Sequence, residues 1–232
     1  NLLALCSPLN PTGTTFTEEA LRDICVLVLE ENKRRGANEK PLYVMYDQIY
    51  SMLTFDGITH VDPVSLFPEM RNYTIFVDGI SKAFAATGVR VGWTFGPERI
   101  IGKMKSILGH VGAWAAKAEQ LATAEYLTDH SAVNKFIESF KIDINARLRG
   151  FYEGMIALKN DGFSVDAIPP QAAIYLTIKL DLIGKTTDSG EVLDSIEKVA
   201  AYILNEAKVA IVPFYAFGSS RTSPWFRLSV GT

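Results

Sequence analysis

Cysteine is almost absent from this sequence: Cys6 and Cys25 are the two it has in 232 residues. Neither has a CxxC neighbour, so a disulfide scaffold and a thiolate metal site are both excluded. They read as reduced, buried thiols of an intracellular protein, and a cytoplasmic location is expected. Histidine is nearly as scarce, and His60, His110 and His130 show no metal-ligand spacing. His60 and His130 read as solvated, while His110 sits in a small-residue loop. Basic excess is lacking too: 23 Lys and Arg against 26 Asp and Glu give a net charge of −3. Nothing there would neutralise phosphates, so a nucleic-acid partner is not expected. No apolar run approaches about 18 residues, so no membrane-spanning helix and no membrane partner are expected. The opening residues carry no basic n-region of a secretory leader. Repeats, Gly/Ser linkers, GxGxxG, Walker A, HExxH and GxSxG motifs are all missing.

What is present is an ordinary globular composition, with 48% hydrophobic and 21% charged residues. Strand-like and helix-like segments alternate, which predicts an α/β architecture. Residues 2–6 read as a buried strand, followed by the turn Ser7-Pro8-Leu9-Asn10-Pro11-Thr12-Gly13. Thr17 is a helix N-cap candidate, with Glu18 and Glu19 in the first turn. Leu21, Ile24, Cys25 and Val28 mark one face, and Gly36 reads as the stop. Residues 42–46, 73–77 and 90–95 are further strand candidates. Helices are expected at 100–105, 113–127 and 132–158. Two β-like segments at 173–179 and 209–213 flank a helix over 190–207. A first domain over residues 1–143 and a smaller α+β domain over 144–232 follow, the helix near 132–158 spanning their boundary. The chain begins at Asn1 inside a strand and stops soon after another, the pattern of a piece of a longer protein.

Polar residues gather where strands end: Asn10, Asp47, Tyr50, Ser81, Lys82 and Arg90. Open α/β sheets bind ligands outside those ends. One amine, one carboxylate, one phenol and one guanidinium suit an aldehyde cofactor that bears a phosphate and a basic ring nitrogen. Lysine forms Schiff bases with carbonyls. An aspartate holds a pyridinium proton. Ser and Arg suit phosphate. Taken singly, each residue has a plain alternative. Asp47 could cap a turn, Asn10 could form an Asx turn, and Arg227 could stack on Trp225 or Phe226. Gly88, Gly92 and Gly96 read as places where a strand and turn approach a cofactor closely.

The ordered set Asn10-Pro11-Thr12-Gly13, Tyr46-Asp47-Gln48-Ile49-Tyr50, Ser81-Lys82-Ala83-Phe84-Ala85-Ala86-Thr87-Gly88-Val89-Arg90-Val91-Gly92-Trp93 and Phe226-Arg227-Leu228-Ser229 resembles the class I/II aminotransferases. These are pyridoxal-phosphate enzymes of fold type I, and the lysine segment is most similar to the aspartate aminotransferase branch. The resemblance implies that Lys82 carries pyridoxal phosphate as a Schiff base and later shuttles a proton. It implies that Asp47 pairs with the pyridine nitrogen and that Tyr50 and Asn10 donate to the ring oxygen. Ser81 and Arg90 would hold the phosphate, and Arg227, with Asn10, the substrate α-carboxylate. It further implies a cis Asn10–Pro11 bond, a homodimer, and amino-group exchange between an amino acid, aspartate-like as a first guess, and a 2-oxo acid. A lyase, decarboxylase or synthase of the same fold, or a non-catalytic effector domain, are the alternatives. Two positions depart from the family pattern. Gly79 stands where a phosphate-binding Ser is frequent, and Gln171 where Gly is. Arg221 is a weak candidate for a distal carboxylate.

Overall fold

A computed structural model describes residues 1–231. The chain divides into two compact units. The first comprises Asn1–Pro8 and Thr15–Phe140; the second comprises Leu9–Thr14 and the chain from Lys141 on.

The first unit is built on β1 (Leu2–Cys6), α1 (Glu18–Arg35), β2 (Tyr43–Asp47), the short α2 (Pro63–Leu66), β3 (Thr74–Gly79), β4 (Gly92–Phe95), α3 (Glu98–Val111) and α4 (Lys117–Thr128). Helix α5 (His130–Asn160) begins in this unit and runs on into the second. The sheet order is β1-β2-β3-β4. Strands β1, β2 and β3 are parallel, and β4 is antiparallel to β3. Parallel strands finish at one edge, so Cys6, Asp47 and Gly79 mark the same rim. The reversed β4 starts at that rim, because Gly92 pairs with Gly79.

Helix α1 forms where the apolar spacing predicts it. Thr17 caps it by accepting from the Ala20 N–H at 3.2 Å, and Gly36 closes it at φ 61°. Its buried face is Leu21, Cys25, Val28 and Asn32. The first three pack with Val44, Tyr46, Met70 and Phe76 into one core cluster. Each fully buried Leu or Val contributes about 1.5–3 kcal/mol by leaving water. Asn32 is a polar exception with a stated partner. Its amide donates to the Leu42 carbonyl at 2.9 Å and accepts from the Leu42 N–H at 2.7 Å. Burial pushes the Cys25 thiol up to about 11, so it stays protonated and unreactive. Cys6 is only half-buried, against expectation; it leads into the rim, where its Sγ contacts the Pro8 carbonyl at 3.3 Å.

The second unit holds β5 (Val165–Ala167), β6 (Tyr175–Leu180), α6 (Ile196–Ala207), β7 (Val212–Pro213) and β8 (Trp225–Ser229). Its sheet runs β5-β6-β8-β7 and every pairing is antiparallel. Ile144, Leu148, Leu176, Ile196, Val199 and Phe226 are among its most buried side chains. The turn carrying Asn10 belongs to this unit. Thr177 Oγ1 donates to the Thr12 carbonyl at 3.0 Å, and the Ala172 N–H donates to the Gly13 carbonyl at 2.9 Å. Gly13 has φ 71°, and a Cβ there would collide with the Tyr175 carbonyl oxygen, so glycine is required.

Elements differ from expectation mainly at their ends. The helix expected over 190–207 begins only at Ile196, where Ser195 accepts from the Lys198 N–H at 3.4 Å. The β-like segment from 209 narrows to Val212–Pro213. Strand β5 has three residues, too short for any periodicity to show. In the stretch containing Gln171, the left-handed residue is Ala173 at φ 62°.

Candidate functional site

Two clusters of the expected site residues form, one in each unit. The first lies on the rim of the parallel strands. Asp47 is the last residue of β2, and its Oδ1 accepts from the Ile49 N–H at 3.1 Å, turning the chain away from the sheet. Tyr50 follows in that turn and is 2% exposed. Beyond β3 the chain makes a tight turn through Ser81 and Lys82. The Phe84 N–H donates to the Ile80 carbonyl at 3.3 Å, the Ala85 N–H to the Lys82 carbonyl at 3.1 Å, and Thr87 Oγ1 to the Ser81 carbonyl at 3.0 Å.

Ala85 (φ 50°) and Arg90 (φ 61°) are both left-handed without being glycine. Each costs about 1–3 kcal/mol, and such strain collects where a loop is held for a purpose. Arg90 Nη1 donates to the Thr87 carbonyl at 3.0 Å. Its side chain borders a cleft of about 480 Å³ also lined by Trp93, Lys105, Trp114 and Gln120. Among the described residues, none pairs with the Lys82 amine or the Ser81 hydroxyl.

Glycine has a packing role here. A Cβ at Gly79 would sit 2.9 Å from the Gly92 Cα and 2.9 Å from the Val91 carbonyl oxygen. One at Gly92 would sit 3.0 Å from the Asp78 carbonyl oxygen, and one at Gly96 2.6 Å from that of Thr74. Gly92 and Gly96 therefore let β4 lie close against β3, and Gly88 meets no protein atom within 4 Å. The same crossing explains why residue 79 carries no hydroxyl: a serine there has no room.

Sequence reasoning missed a polar chain behind this rim. Asp78 Oδ1 accepts from the Gly79 N–H at 2.7 Å, and Oδ2 accepts from Gln48 Nε2 at 3.1 Å. Gln48 Oε1 lies 3.4 Å from His60 Nε2. His60 is thus not solvated as expected: its ring stands 6.0 Å from that of Tyr46, and its Nδ1 is buried without a partner. Burial holds the imidazole below its usual pKa and pushes the Asp78 carboxyl above the usual carboxylate range. The available signal was the pair of polar residues at adjacent strand ends, Gln48 after Asp47 and Asp78 before Lys82. His130 is exposed as expected, and His110 is exposed in the last turn of α3.

The second cluster is an arginine clamp. Arg227 on β8 donates from Nη1 to Asn10 Oδ1 at 2.8 Å. Its guanidinium lies over the Tyr175 ring at 4.6 Å and the Phe217 ring at 4.8 Å. The stacking partners are therefore not Trp225 or Phe226. Phe226 is its strand neighbour and points to the other face, where it is fully buried. The Arg227 Nε is buried with no partner. A buried donor left unsatisfied costs about 1–3 kcal/mol, so an acceptor is called for. The peptide bond Asn10–Pro11 is cis, as is Ser7–Pro8. Arg221 is engaged elsewhere, 3.0 Å from Glu197 and 5.3 Å over Tyr215, on an 80% exposed side chain.

Among the described residues, no group of His, Cys, Asp and Glu could hold a metal ion. The first cluster instead offers an amine free to react, a carboxylate, and hydroxyl and guanidinium donors on one rim. That set fits an aldehyde with a basic ring nitrogen and a phosphate. The second offers a planar cation with an unmet donor, which fits a carboxylate.

A family model described as aminotransferase class I and II matches residues 1–232. An aspartate aminotransferase of Streptomyces avermitilis is 34% identical over 232 residues, covering 98% of this chain and 51% of its own length. One from Bacillus sp. (strain YM-2) is 30% identical over 226 residues, covering 97% and 52%. Among solved structures, the aspartate aminotransferase of Rhizobium meliloti matches with a TM-score of 0.84 at 28% identity, covering all of this chain and 54% of that one. An aromatic aminotransferase from Pyrococcus horikoshii matches at 0.83 and 27% identity, covering 100% and 55%. The chain spans about half the length of the curated relatives it matches.

Proposed function

This chain belongs to the class I and II aminotransferases, with the type I fold, and from that premise we propose that it carries the lysine-bearing part of an enzyme exchanging an amino group between an amino acid and a 2-oxo acid with pyridoxal phosphate. The observation that carries this reading is the convergence of Asp47, Ser81, Lys82 and Arg90 on one rim of the sheet. Bound there, pyridoxal phosphate supplies an electrophilic carbonyl and an electron-withdrawing ring.

The remaining work falls to the chain's own groups. Lys82 would attach the cofactor, and its freed, neutral amine would take and return the substrate Cα proton. Asp47 would keep a proton on the ring nitrogen, since an anion beside it favours the charged form. Tyr50 would donate its phenol proton to the ring oxygen, with Asn10 as a second donor. Ser81 and Arg90 would hold the phosphate, Arg90 as a two-pronged donor. Arg227 would bind the substrate α-carboxylate with its planar guanidinium. Asn10 Oδ1 fixes the other side of the guanidinium and leaves that fork aimed.

An acidic, aspartate-like amino acid is the first substrate to try, because several relatives of similar length coverage are named aspartate aminotransferases. A homodimer acting in the cytoplasm completes the reading. No described helix is long and apolar enough to cross a membrane. The test is borohydride reduction of the full-length protein after incubation with pyridoxal phosphate. Peptide mapping should place the cofactor mass on Lys82. In a separate, unreduced sample, adding aspartate should change the cofactor's absorbance, and adding a 2-oxo acid should reverse it. Labelling spread over other lysines would sink the assignment.

A further inference from the structure

Strands β2 and β3 stop pairing at Asp47 and Val77, and their chains then leave for different turns. One turn carries Tyr50, the other Lys82. Two hydrogen bonds cross the gap beyond the last ladder pair. The Gln48 N–H donates to the Val77 carbonyl at 3.0 Å, and Gln48 Nε2 donates to Asp78 Oδ2 at 3.1 Å. Asp78 uses its other oxygen on the Gly79 N–H at 2.7 Å, the first amide of the stretch that leads to Lys82. Apolar packing is sparse at this spot: the Ile49 side chain lies near Gly79, where an added Cβ would stand 3.5 Å from its Cδ1. Gly79 and Gly92 are opposite each other, and neither has room for a side chain. The Gln48–Asp78 tie adds a side-chain link to the main-chain bond that joins the two strand ends.

We propose that Asp78 is a positioning residue that clamps the Lys82 turn to the Asp47 strand end through Gln48, so that amine and carboxylate keep a fixed spacing when the cofactor binds. The role rests on the pyridoxal phosphate reading above. Neither bond requires a negative charge, since both Asp78 oxygens act only as acceptors. Asp47 is the like charge facing Asp78, and His60, beyond Gln48, is held neutral by burial. An asparagine can present the same carbonyl oxygen to the Gly79 N–H, and the Gln48 amide can turn to accept from its NH₂ group. The tie should therefore survive Asp78→Asn and fail in Asp78→Ala.

The experiment uses the full-length protein as wild type, Asp78→Asn, Asp78→Ala and Gln48→Met. Two readouts are taken: pyridoxal phosphate affinity by absorbance titration, and hydrogen exchange of peptides covering residues 46–51 and 78–84. Asp78→Ala should weaken cofactor binding about tenfold and speed exchange in both peptides, the scale of one or two lost hydrogen bonds. Asp78→Asn should restore both to near wild type. Gln48→Met, which keeps the Gly79 bond, should fall between them and serves where Asp78→Ala does not fold. Wild-type behaviour of Asp78→Ala in both readouts overturns the proposal. So does an Asp78→Asn protein as impaired as Asp78→Ala, which would make charge the cause. A wild type that takes no pyridoxal phosphate sinks the functional reading, while the exchange rates still decide the tie.

Discussion

The two units hold their key cations by different means. In the first, Lys82 and Arg90 are placed by backbone: a turn closed by main-chain hydrogen bonds, two left-handed residues, and a glycine-on-glycine strand crossing. In the second, Arg227 is placed by side chains: two aromatic faces and the Asn10 amide oxygen. The difference suits the tasks proposed for them. An amine that must swing between attachment and proton transfer needs a fixed base and a free tip. A guanidinium that reads a planar carboxylate needs its fork held still. Damage in the first unit should therefore come through backbone room, and in the second through ring and fork geometry.

The sharpest break of this comparison is Lys82→Ala in the full-length protein. It removes the free tip and should lower kcat for amino-group transfer by about 10²–10⁴-fold, measured in a coupled assay. Arg227→Lys comes next. Charge stays, but the planar fork and its stacking go, so KM should rise roughly 10- to 100-fold with a smaller change in kcat. Full activity in that variant would show that the side-chain grip is irrelevant. Gly79→Ala tests the backbone side: the added methyl meets Gly92 and Val91, and stability should fall by about 1–3 kcal/mol in denaturant titration.

A smaller effect concerns pH. His60 has its pKa lowered by burial, so below pH 6.5 the unfolded chain takes up a proton that the folded one refuses. Stability should drop on acidification through that value and level off once the folded imidazole is protonated too. Denaturant titrations at a series of pH values should show this, and His60→Gln should flatten the profile. Asp78 has the opposite sign. Its folded pKa is raised above 3.8, so its ionised form costs stability at neutral pH and the cost disappears as pH falls through the folded pKa. Asp78→Asn should accordingly raise the denaturation midpoint at pH 7 and lose that advantage in acid. The smallest effect is expected at Arg221→Ala. The exposed pair with Glu197 should leave Tm and the KM for dicarboxylic substrates unchanged.

Much of the architecture was legible because buried strands and capped helices write their periodicity into the sequence. The Leu21–Ile24–Cys25–Val28 face and the Thr17 and Gly36 stops fall where α1 has them. The rim residues were legible too, since polar side chains directly after apolar strands are conspicuous. What stayed hidden depends on contacts between distant segments. That β4 is the strand running antiparallel depends on its four-residue pairing with β3, which no local pattern encodes. Tyr175 and Phe217 were indistinguishable from core aromatics until folding laid Arg227 between them. His60 read as solvated because nothing near it in sequence reveals that Tyr46 and Gln48 enclose it.

The reversal of β4 has a consequence for how this molecule can be altered. Because β4 runs back to the rim where β3 ends, residues 80–91 leave and re-enter the sheet at neighbouring points, one strand spacing or about 4.8 Å apart. The covalent anchor and the guanidinium proposed for the phosphate thus travel on a single cassette with both ends stapled. Such a segment can be exchanged between relatives as one piece, provided the two glycines and the Phe84 contacts with Tyr126 and Phe136 are kept. Recombination across this stretch would transplant Lys82 and Arg90, the proposed cofactor anchor and the proposed phosphate donor, together.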